Sequence, residues 1–192
     1  MPTDTLLTRE AVEALPVDEL LQRYSIGVER FDRRVVELTE ADLDTAFLPE
    51  AGVGRWPARV LLGHLADAEI FYTLRMRRTV GEESPLLHNW DEQAFVDSGI
   101  YSGTPIGAFI ALIHTLRRAT GAWLITLPGE AWDRRALHEL YGPMTLRKIL
   151  AYDTWHLEHH ACFLNRKIVR FLGPAEQDRA AGTRCGPHCG CG

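Results

Sequence analysis

Apolar side chains recur every three or four residues along four long stretches of this 192-residue chain, and that period restricts its fold more than any other feature. The stretches cover residues 18–43, 57–80, 105–127 and 145–172. Such a spacing places the apolar residues on one face of an α-helix. No convincing alternation of apolar and polar residues indicates strands, and no segment repeats at a fixed period. The sequence therefore predicts an all-α fold, a four-helix bundle.

Residues that favour helix ends bound these stretches. Asp18 is a candidate N-cap of the first helix, and Thr145 is one for the fourth. Pro57 fits the first position of the second helix. Gly81 is placed to end that helix.

The connection between helices two and three is long, covering residues 82–104, and we expect it to be irregular or only briefly helical. Connections of this length are uncommon in compact domains and often carry function. Between helices three and four, the sequence predicts one helical turn over residues 130–133 and a loop over 134–143.

After Pro174 the chain turns polar and glycine-rich, so we expect one bundle domain over residues 1–174 and a flexible tail over 175–192. Cys162 is the only cysteine that precedes the tail, which is unlike the disulfide framework of a secreted protein. The first nine residues lack the features of a signal peptide. The sequence therefore predicts a cytoplasmic protein.

Charge and hydropathy exclude two classes of partner. Lys and Arg number 21 against 26 Asp and Glu, which gives a net charge of −5. A mildly acidic chain has no electrostatic affinity for a nucleic-acid backbone. No run approaches the roughly 18 apolar residues that a membrane span needs. We expect neither nucleic acid nor membrane as a partner.

Histidines on two of the helices suggest a metal site. His156 and His160 are four residues apart and lie about 40° from each other on one face of the fourth helix. This spacing lets two imidazoles reach one cation, and His156 with His159 is an alternative pair. His64, on the apolar face of the second helix, is the candidate third ligand. The alternative is that these histidines are hydrogen-bonded core residues.

Two carboxylates lie close to these histidines in the sequence. Asp67 is about 60° from His64 on the same side of its helix, so we expect it to orient an imidazole or transfer a proton. Glu158 is about 160° from both His156 and His160, and we predict that it faces solvent.

Three segments together resemble the DinB/YfiT-like superfamily of metal-binding four-helix bundles. They are residues 54–69 (GRWPARVLLGHLADAE), residues 89–95 (NWDEQAF), and the fourth helix with its opening Thr-Leu, Trp155-His156 and His159-His160. The similarity covers about residues 17–172. It implies that His64, His156 and His160 are the metal ligands, and that the protein forms a homodimer. The family often has a His-Pro pair before the fourth helix; Glu139 replaces that proline here, so no site role is carried over to His138.

Three histidine ligands leave a coordination position open, which is typical of catalytic sites. Imidazole ligands favour Zn²⁺ first and also suit Ni²⁺, Fe²⁺ or Cu²⁺, with Mn²⁺ a further candidate. The resemblance implies a metal-activated nucleophile, either a thiol in S-transfer or water in hydrolysis of a small molecule. We expect S-transfer with a low-molecular-weight thiol, because no Glu stands on the metal-facing side of the His156–His160 turn to serve as a base, and Glu158 points away from that side. Hydrolysis is the alternative, and a non-catalytic metal-binding or stress-response protein is the alternative of another class.

Arginines end the second helix at Arg75, Arg77 and Arg78. We expect these to be surface residues that compensate the helix dipole. The alternative is that they attract an anionic co-substrate.

The tail concentrates soft metal ligands in a few residues, namely Cys185, His188, Cys189 and Cys191. Thiolates with one imidazole suit Zn²⁺ or Cu⁺, but the spacing differs from a two-knuckle zinc motif. We rank a disordered end first, a second metal site next, and a redox-sensitive segment as the remaining alternative.

Overall fold

The computed structural model of the chain describes residues 6–175. Within that range the α-helices are α1 (Arg9–Glu13), α2 (Val17–Ser25), α3 (Glu40–Leu43), α4 (Ala58–Gly81), α5 (Glu92–Ser98), α6 (Ile106–Leu124) and α7 (Leu146–Leu172). The strands are β1 (Leu86–Leu87), β2 (Arg135–His138) and β3 (Gly142–Thr145). None of these helices is long and apolar enough to cross a membrane.

Four helices form the bundle. Helix α4 packs against α6 and α7, and α2 packs against the same two helices from the other side. The all-α four-helix-bundle prediction is therefore confirmed. Of the two predicted N-caps, Thr145 is confirmed, because its side chain accepts the amide proton of Lys148 at the start of α7. The prediction for Asp18 is wrong, because Pro16 is the N-cap of α2. Asp18 instead lies in the first turn, where a negative charge stabilises the helix dipole.

The prediction of one helix over residues 18–43 is wrong. Helix α2 ends at Ser25 and is followed by two short 3₁₀ segments, Gly27–Arg30 and Arg33–Glu37, before α3. Two contacts account for the break. The carbonyl of Tyr24 accepts a hydrogen bond from Arg117, and a Cβ at Gly27 would lie 2.3 Å from Nη1 of that arginine. Most of the apolar residues that recur every three or four positions in this stretch are still buried, so the periodicity identified the buried face without identifying its backbone.

A small sheet replaces the loop predicted over residues 134–143. Strand β2 pairs antiparallel with β3 and parallel with β1, in the order β1-β2-β3. Along β2, buried Ala136 and His138 alternate with exposed Arg135 and Leu137. This period-two pattern is too short to distinguish a strand from a loop by itself. The brief helix expected between α4 and α6 is present as α5, and the expected turn is the 3₁₀ segment Gly129–Asp133.

The apolar core consists of two clusters, and a polar layer lies where they meet along α7. One cluster includes Leu150 and Ala151 of that helix, and the other includes Leu157 and Ala161. Asp153 and His156 lie between them in the sequence of α7. The domain boundary expected at residue 174 stays a prediction, since residues 176–192 lie outside the described range.

Arg117 of α6 is fully buried in this layer and contacts each of the other bundle helices. Its Nε donates to Glu69 of α4 at 2.5 Å, and its Nη1 donates to the carbonyl of Tyr24 in α2 at 3.1 Å. Its Nη2 donates to the carbonyl and carboxylate of Asp153 in α7, at 3.1 and 3.3 Å. Two carboxyl groups thus face one guanidinium, and burial raises the pKa of both.

Replacing Arg117 by Met should destabilise the fold by about 3–5 kcal/mol, because it leaves buried carboxyl groups without their cation. The free energy of unfolding is measured by urea titration. Arg118→Met, at the exposed next position, is the matched control and should change stability by less than about 0.5 kcal/mol. Equal effects of the two substitutions would contradict the structural role of Arg117.

Asp153 should make folding stability depend on pH. Burial, and then the charge of Glu69, hold its pKa well above the usual value. A carboxyl group with a raised folded-state pKa loses its stabilising contribution as pH rises from about 4 through that pKa. Asp153→Asn removes this titration, so the free energy of unfolding of the variant relative to wild type should increase over that range. If the free energy of unfolding of wild type and of Asp153→Asn changed with pH in parallel, Asp153 would not have a raised pKa in the folded protein.

Candidate metal centre

Three histidines from two helices come together in the polar layer. His64 lies on α4, and His156 and His160 lie one turn apart on α7; one nitrogen from each forms a set within 4.8 Å of one another. His64 is fully buried, His156 is 9% exposed and His160 is partly buried. The structure therefore assembles the residues that the sequence singled out, and their role as metal ligands is a proposal taken up below.

The distance between two of these nitrogens matches a shared cation. The Nε2 atoms of His64 and His156 are 3.2 Å apart. Bonds of about 2.0–2.1 Å in a tetrahedral site place two ligand nitrogens about 3.3 Å apart. The pair therefore has the geometry of a preformed coordination site.

The Nε2 atoms of His64 and His156 are within hydrogen-bond distance of each other, whereas their Nδ1 atoms are buried and are not satisfied by any of the described residues. Structural histidines in a core are normally satisfied by protein or ordered water. This observation weighs against the alternative that these are hydrogen-bonded core residues.

Burial keeps the three rings neutral at physiological pH. It lowers the pKa of His64 to about 4 and that of His160 to about 3. The pKa of His156 also lies well below its usual value, first through burial and then through the neighbouring histidines. A neutral imidazole has the free lone pair that a metal requires, so the ligands need not lose protons to bind a cation near pH 7.

Aromatic side chains surround the cluster. Trp90 stacks on His64 with ring centroids 5.2 Å apart, and Trp56 lies 4.9 Å from the same ring. Tyr72 and Tyr152 cover His156 at 6.0 and 6.3 Å. These rings exclude water from one side of the centre, and the low dielectric strengthens electrostatic interactions inside it.

The carboxylates near the centre differ from those expected. Asp67 does not hydrogen-bond to an imidazole; it accepts a hydrogen bond from the hydroxyl of Tyr101 at 2.8 Å. Tyr101 packs so closely on α4 that a Cβ at Gly63 would lie 2.3 Å from its ring. The carboxylate beside the cluster is Glu92, whose Oε2 lies 3.9 Å from Nδ1 of His64.

Sequence analysis missed Glu92 because its position depends on how the long connection folds back over α4. Asp91 caps α5 by accepting the amide proton of Ala94, and Glu92 is the first residue of that helix. The only signal was that both residues belong to the family-like segment 89–95. The long connection thus places Trp90 and Glu92 beside His64.

The prediction that Glu158 faces solvent is wrong. Its carboxylate is buried and accepts hydrogen bonds of 3.0 and 2.9 Å from the guanidinium of Arg23, with Arg30 3.3 Å away. The reason is that α2 and the following 3₁₀ segment cover the face of α7 opposite the histidines. Glu158 therefore joins α7 to α2 and has no contact with the centre in the described structure.

The remaining histidines lie outside the cluster. His159 stacks on Trp155 with centroids 4.9 Å apart, at the edge of the bundle. His88 is exposed, and its Nδ1 lies 2.8 Å from Oε1 of Glu139. The tail residues, Cys185, His188, Cys189 and Cys191, lie outside the described range, so the tail hypotheses stay predictions.

Comparisons with known proteins agree with the family resemblance. The model of the DinB superfamily matches residues 6–163. "Putative metal-dependent hydrolase YfiT" of Bacillus subtilis is 27% identical over 167 residues, which cover 86% of this chain and 90% of that protein. A Bacillus pumilus protein with the name "Putative metal-dependent hydrolase" is 28% identical over 169 residues, covering 85% and 88%.

The solved structure of YfiT from Bacillus subtilis has the same fold. Its TM-score is 0.73 at 23% identity, with 91% of this chain and 94% of that chain covered. That protein is described as a four-helix bundle of unusual topology. At this identity, the likeness concerns the fold alone.

Replacing Tyr101 by Phe should raise the pKa of Asp67, because burial already raises it and the tyrosine hydrogen bond opposes that rise. The pKa is measured by ¹³C NMR of the labelled carboxyl carbon across a pH titration. Tyr141→Phe, in the sheet region, serves as the control and should leave the value unchanged. An unchanged pKa in Tyr101→Phe would mean that this hydrogen bond does not persist in solution.

Proposed function

Since the chain belongs to the DinB superfamily, we propose that it is a metal-dependent enzyme in which His64, His156 and His160 bind one divalent cation. The observation that carries this proposal is the convergence of three imidazoles, two buried and one partly buried, whose nitrogens lie within 4.8 Å of one another. Zn²⁺ is the first choice, because three neutral nitrogen ligands with an open position suit it; Ni²⁺, Fe²⁺, Cu²⁺ and Mn²⁺ follow.

A cation bound there supplies a Lewis acid that lowers the pKa of a water or thiol ligand and so makes it a nucleophile near neutral pH. The protein supplies the rest. Trp56 and Trp90 exclude water from the histidine side, and the Glu92 carboxylate, 3.9 Å from Nδ1 of His64, places a negative charge beside the ligand set. We propose Asp67, held by Tyr101, as the carboxyl group that transfers a proton during the reaction.

Hydrolysis of a small-molecule substrate is the reaction we place first. Two relatives carry the name of a metal-dependent hydrolase, and Glu92 provides the carboxylate beside the centre whose apparent lack favoured S-transfer at the sequence level. Transfer of a low-molecular-weight thiol is the second candidate. Three neutral histidine ligands favour thiol transfer, because they leave the cation with its full positive charge, which stabilises a thiolate.

A non-catalytic metal-binding or stress-response protein is the proposal of another class. It shares the metal site with the enzymatic proposals but has no turnover. We also propose a homodimer in the cytoplasm, since dimers with twofold symmetry are the commonest oligomers. Sedimentation equilibrium tests the dimer, and a monomer at micromolar concentration would contradict it.

Alanine at His64, His156 or His160 should reduce bound metal from about one equivalent to less than about a tenth, because each removes one of three ligands. Elemental analysis of untagged protein after dialysis against Zn²⁺ gives the stoichiometry, and circular dichroism checks that helical content is kept. His159→Ala is the matched control, one residue from a ligand but outside the cluster. Full metal occupancy in the His156→Ala variant would overturn the site.

Zinc-loaded protein distinguishes the two reactions. We assay a panel of carboxylic and phosphate esters for hydrolysis, and glutathione and cysteine with 1-chloro-2,4-dinitrobenzene for S-transfer. The proposal expects ester hydrolysis that is lost in His156→Ala. Conjugation alone with the same loss would favour S-transfer, and tight metal without either activity would favour the non-catalytic class.

A further inference from the structure

Arg75, near the end of α4, holds the main chain of the long connection that follows that helix. The residue is 9% exposed, so the expectation that it is a surface residue is wrong. Its Nη2 donates a hydrogen bond to the carbonyl of His88 at 2.8 Å, and its guanidinium lies 6.0 Å from the centre of the Phe71 ring and 5.3 Å from that of Tyr72. A guanidinium that is removed from water needs acceptors and ring faces of this kind, because an uncompensated charge is costly to bury. Arg75 therefore fixes the backbone two residues before Trp90.

Lys167, near the end of α7, makes the same kind of contact with a different loop. The residue is 1% exposed, and its Nζ donates to the carbonyl of Val53 and, at 3.0 Å, to that of Gly54. The ammonium group also lies 5.1 Å from the centre of the Phe47 ring. Lys167 therefore fixes the backbone two residues before Trp56.

Both of these tryptophans pack on the ring of His64. Trp90 is stacked on it, with 18° between the ring planes and the centroids 5.2 Å apart, and Trp56 lies 4.9 Å away at 59°. Trp90 also stacks on Phe71, at 4.7 Å and 12°. His64 and Phe71 are seven residues apart on α4, which is about 10.5 Å along the helix axis, so the indole fits between them. Trp56 in turn stacks on His160, at 6.3 Å and 15°.

The orientation of the His64 ring depends on these tryptophans. Metal-binding histidines are usually oriented by a hydrogen bond from the nitrogen that does not bind the metal. Nδ1 of His64 has no such partner among the described residues, and the carboxylate of Glu92 lies 3.9 Å from it. Rotation of the imidazole about its Cβ–Cγ bond would drive the ring edge into the stacked indole of Trp90. Stacking thus does here what a hydrogen bond does in other metal sites.

Each buried cation shares a helix face with a proposed ligand. Arg75 follows His64 by eleven residues on α4, and Lys167 follows His156 by eleven residues on α7. Eleven residues complete about three turns, so ligand and cation lie on one face, about 16.5 Å apart along the axis. Each of the two helices therefore supplies a ligand and also the cation that holds a loop beside the ligands.

We propose that Arg75 and Lys167 are positioning residues of the metal centre. Each holds the loop that carries one tryptophan, and Trp90 and Trp56 together clamp His64 in the orientation in which it binds the cation. The binding of a cation rests on the proposed function, whereas the clamp is present without a metal.

The clamp is tested without a metal, by NMR of the full chain in EDTA. NOEs should connect the ring protons of His64 with the indole protons of Trp90 in the wild type, and His64→Gln assigns the imidazole signals. Arg75→Met should lose these NOEs, because the connection is released from its hydrogen bond, while circular dichroism shows unchanged helical content. Arg77→Met, at an exposed position of the same helix, is the matched control and should keep them.

Zinc affinity, measured by competition with a chelator, tests the consequence of the clamp. Arg75→Met and Lys167→Met should each weaken zinc binding at least about tenfold, which is the effect of losing a group that orients a metal-binding histidine. Arg75→Lys should recover part of the affinity, since an ammonium group still donates to a carbonyl. Arg77→Met on α4 and Lys148→Met, at a half-exposed position of α7, are the controls and should leave the affinity unchanged.

Trp90→Leu keeps an apolar side chain but removes the stacked ring, so it tests the clamp even if Arg75→Met does not fold. It should weaken zinc binding at least as much as Arg75→Met does. Unchanged zinc affinity in both variants overturns the inference and leaves the metal site intact. Weaker binding in Trp90→Leu alone, with a folded Arg75→Met that binds zinc as the wild type does, also overturns it, because Arg75 then does not position the ring.

The measurements in EDTA separate this inference from the proposed function. If the wild type binds no zinc, the proposed function fails, and the NOEs between His64 and Trp90 still decide the clamp. Their loss in Arg75→Met supports it, and their persistence in that variant overturns it.

Discussion

The architecture depends on one buried cation, Arg117, which contacts α2, α4 and α7 from its place on α6. Its pairing with Glu69 and Asp153 fixes the register of α4 against α7, since these residues lie five positions after His64 and three before His156. The same guanidinium takes the Tyr24 carbonyl and so helps to end α2. A buried charge accepts few geometries, because any displaced arrangement leaves a carboxyl group or a guanidinium unpaired in a low dielectric. The helix register that brings the histidines together follows from this constraint.

Within the polar layer, the Arg117 network and the histidine cluster differ in how their polar atoms are satisfied. Arg117 donates hydrogen bonds from all three of its guanidinium nitrogens. In the cluster, the Nδ1 atoms of His64 and His156 are buried without a hydrogen-bond partner among the described residues, and aromatic rings pack against the imidazoles. One region fixes the backbone, and the other keeps ligand atoms available. Such a division lets a site retain reactive groups without loss of the fold, because the stabilising interactions are made by other residues.

Local signals predicted much of this molecule. The helical spacing of apolar residues and the residues at the helix ends predicted the bounds of α4, α6 and α7 closely. A spacing of four residues identified His156 and His160 as neighbours, because helix geometry alone determines which residues share a face. The failures depend on contacts between distant parts of the chain. The break after Ser25 depends on the contact of Arg117 with the end of α2. Glu158 is buried because α2 covers it. Glu92 lies near His64 because the connection between α4 and α6 folds back over α4. Arg75 appeared to end a surface helix, and only the packing of the small sheet and the rings beside it shows that it is buried. No pattern within a single helix encodes these contacts.

The central claim is that His64, His156 and His160 bind one cation inside the bundle, and anomalous diffraction tests it most directly. Crystals of the full chain grown with Zn²⁺ would be measured on both sides of the zinc absorption edge. The account predicts one strong anomalous peak about 2.0–2.1 Å from a ring nitrogen of each of the three histidines. A peak elsewhere in the chain, with no density between these rings, would contradict it.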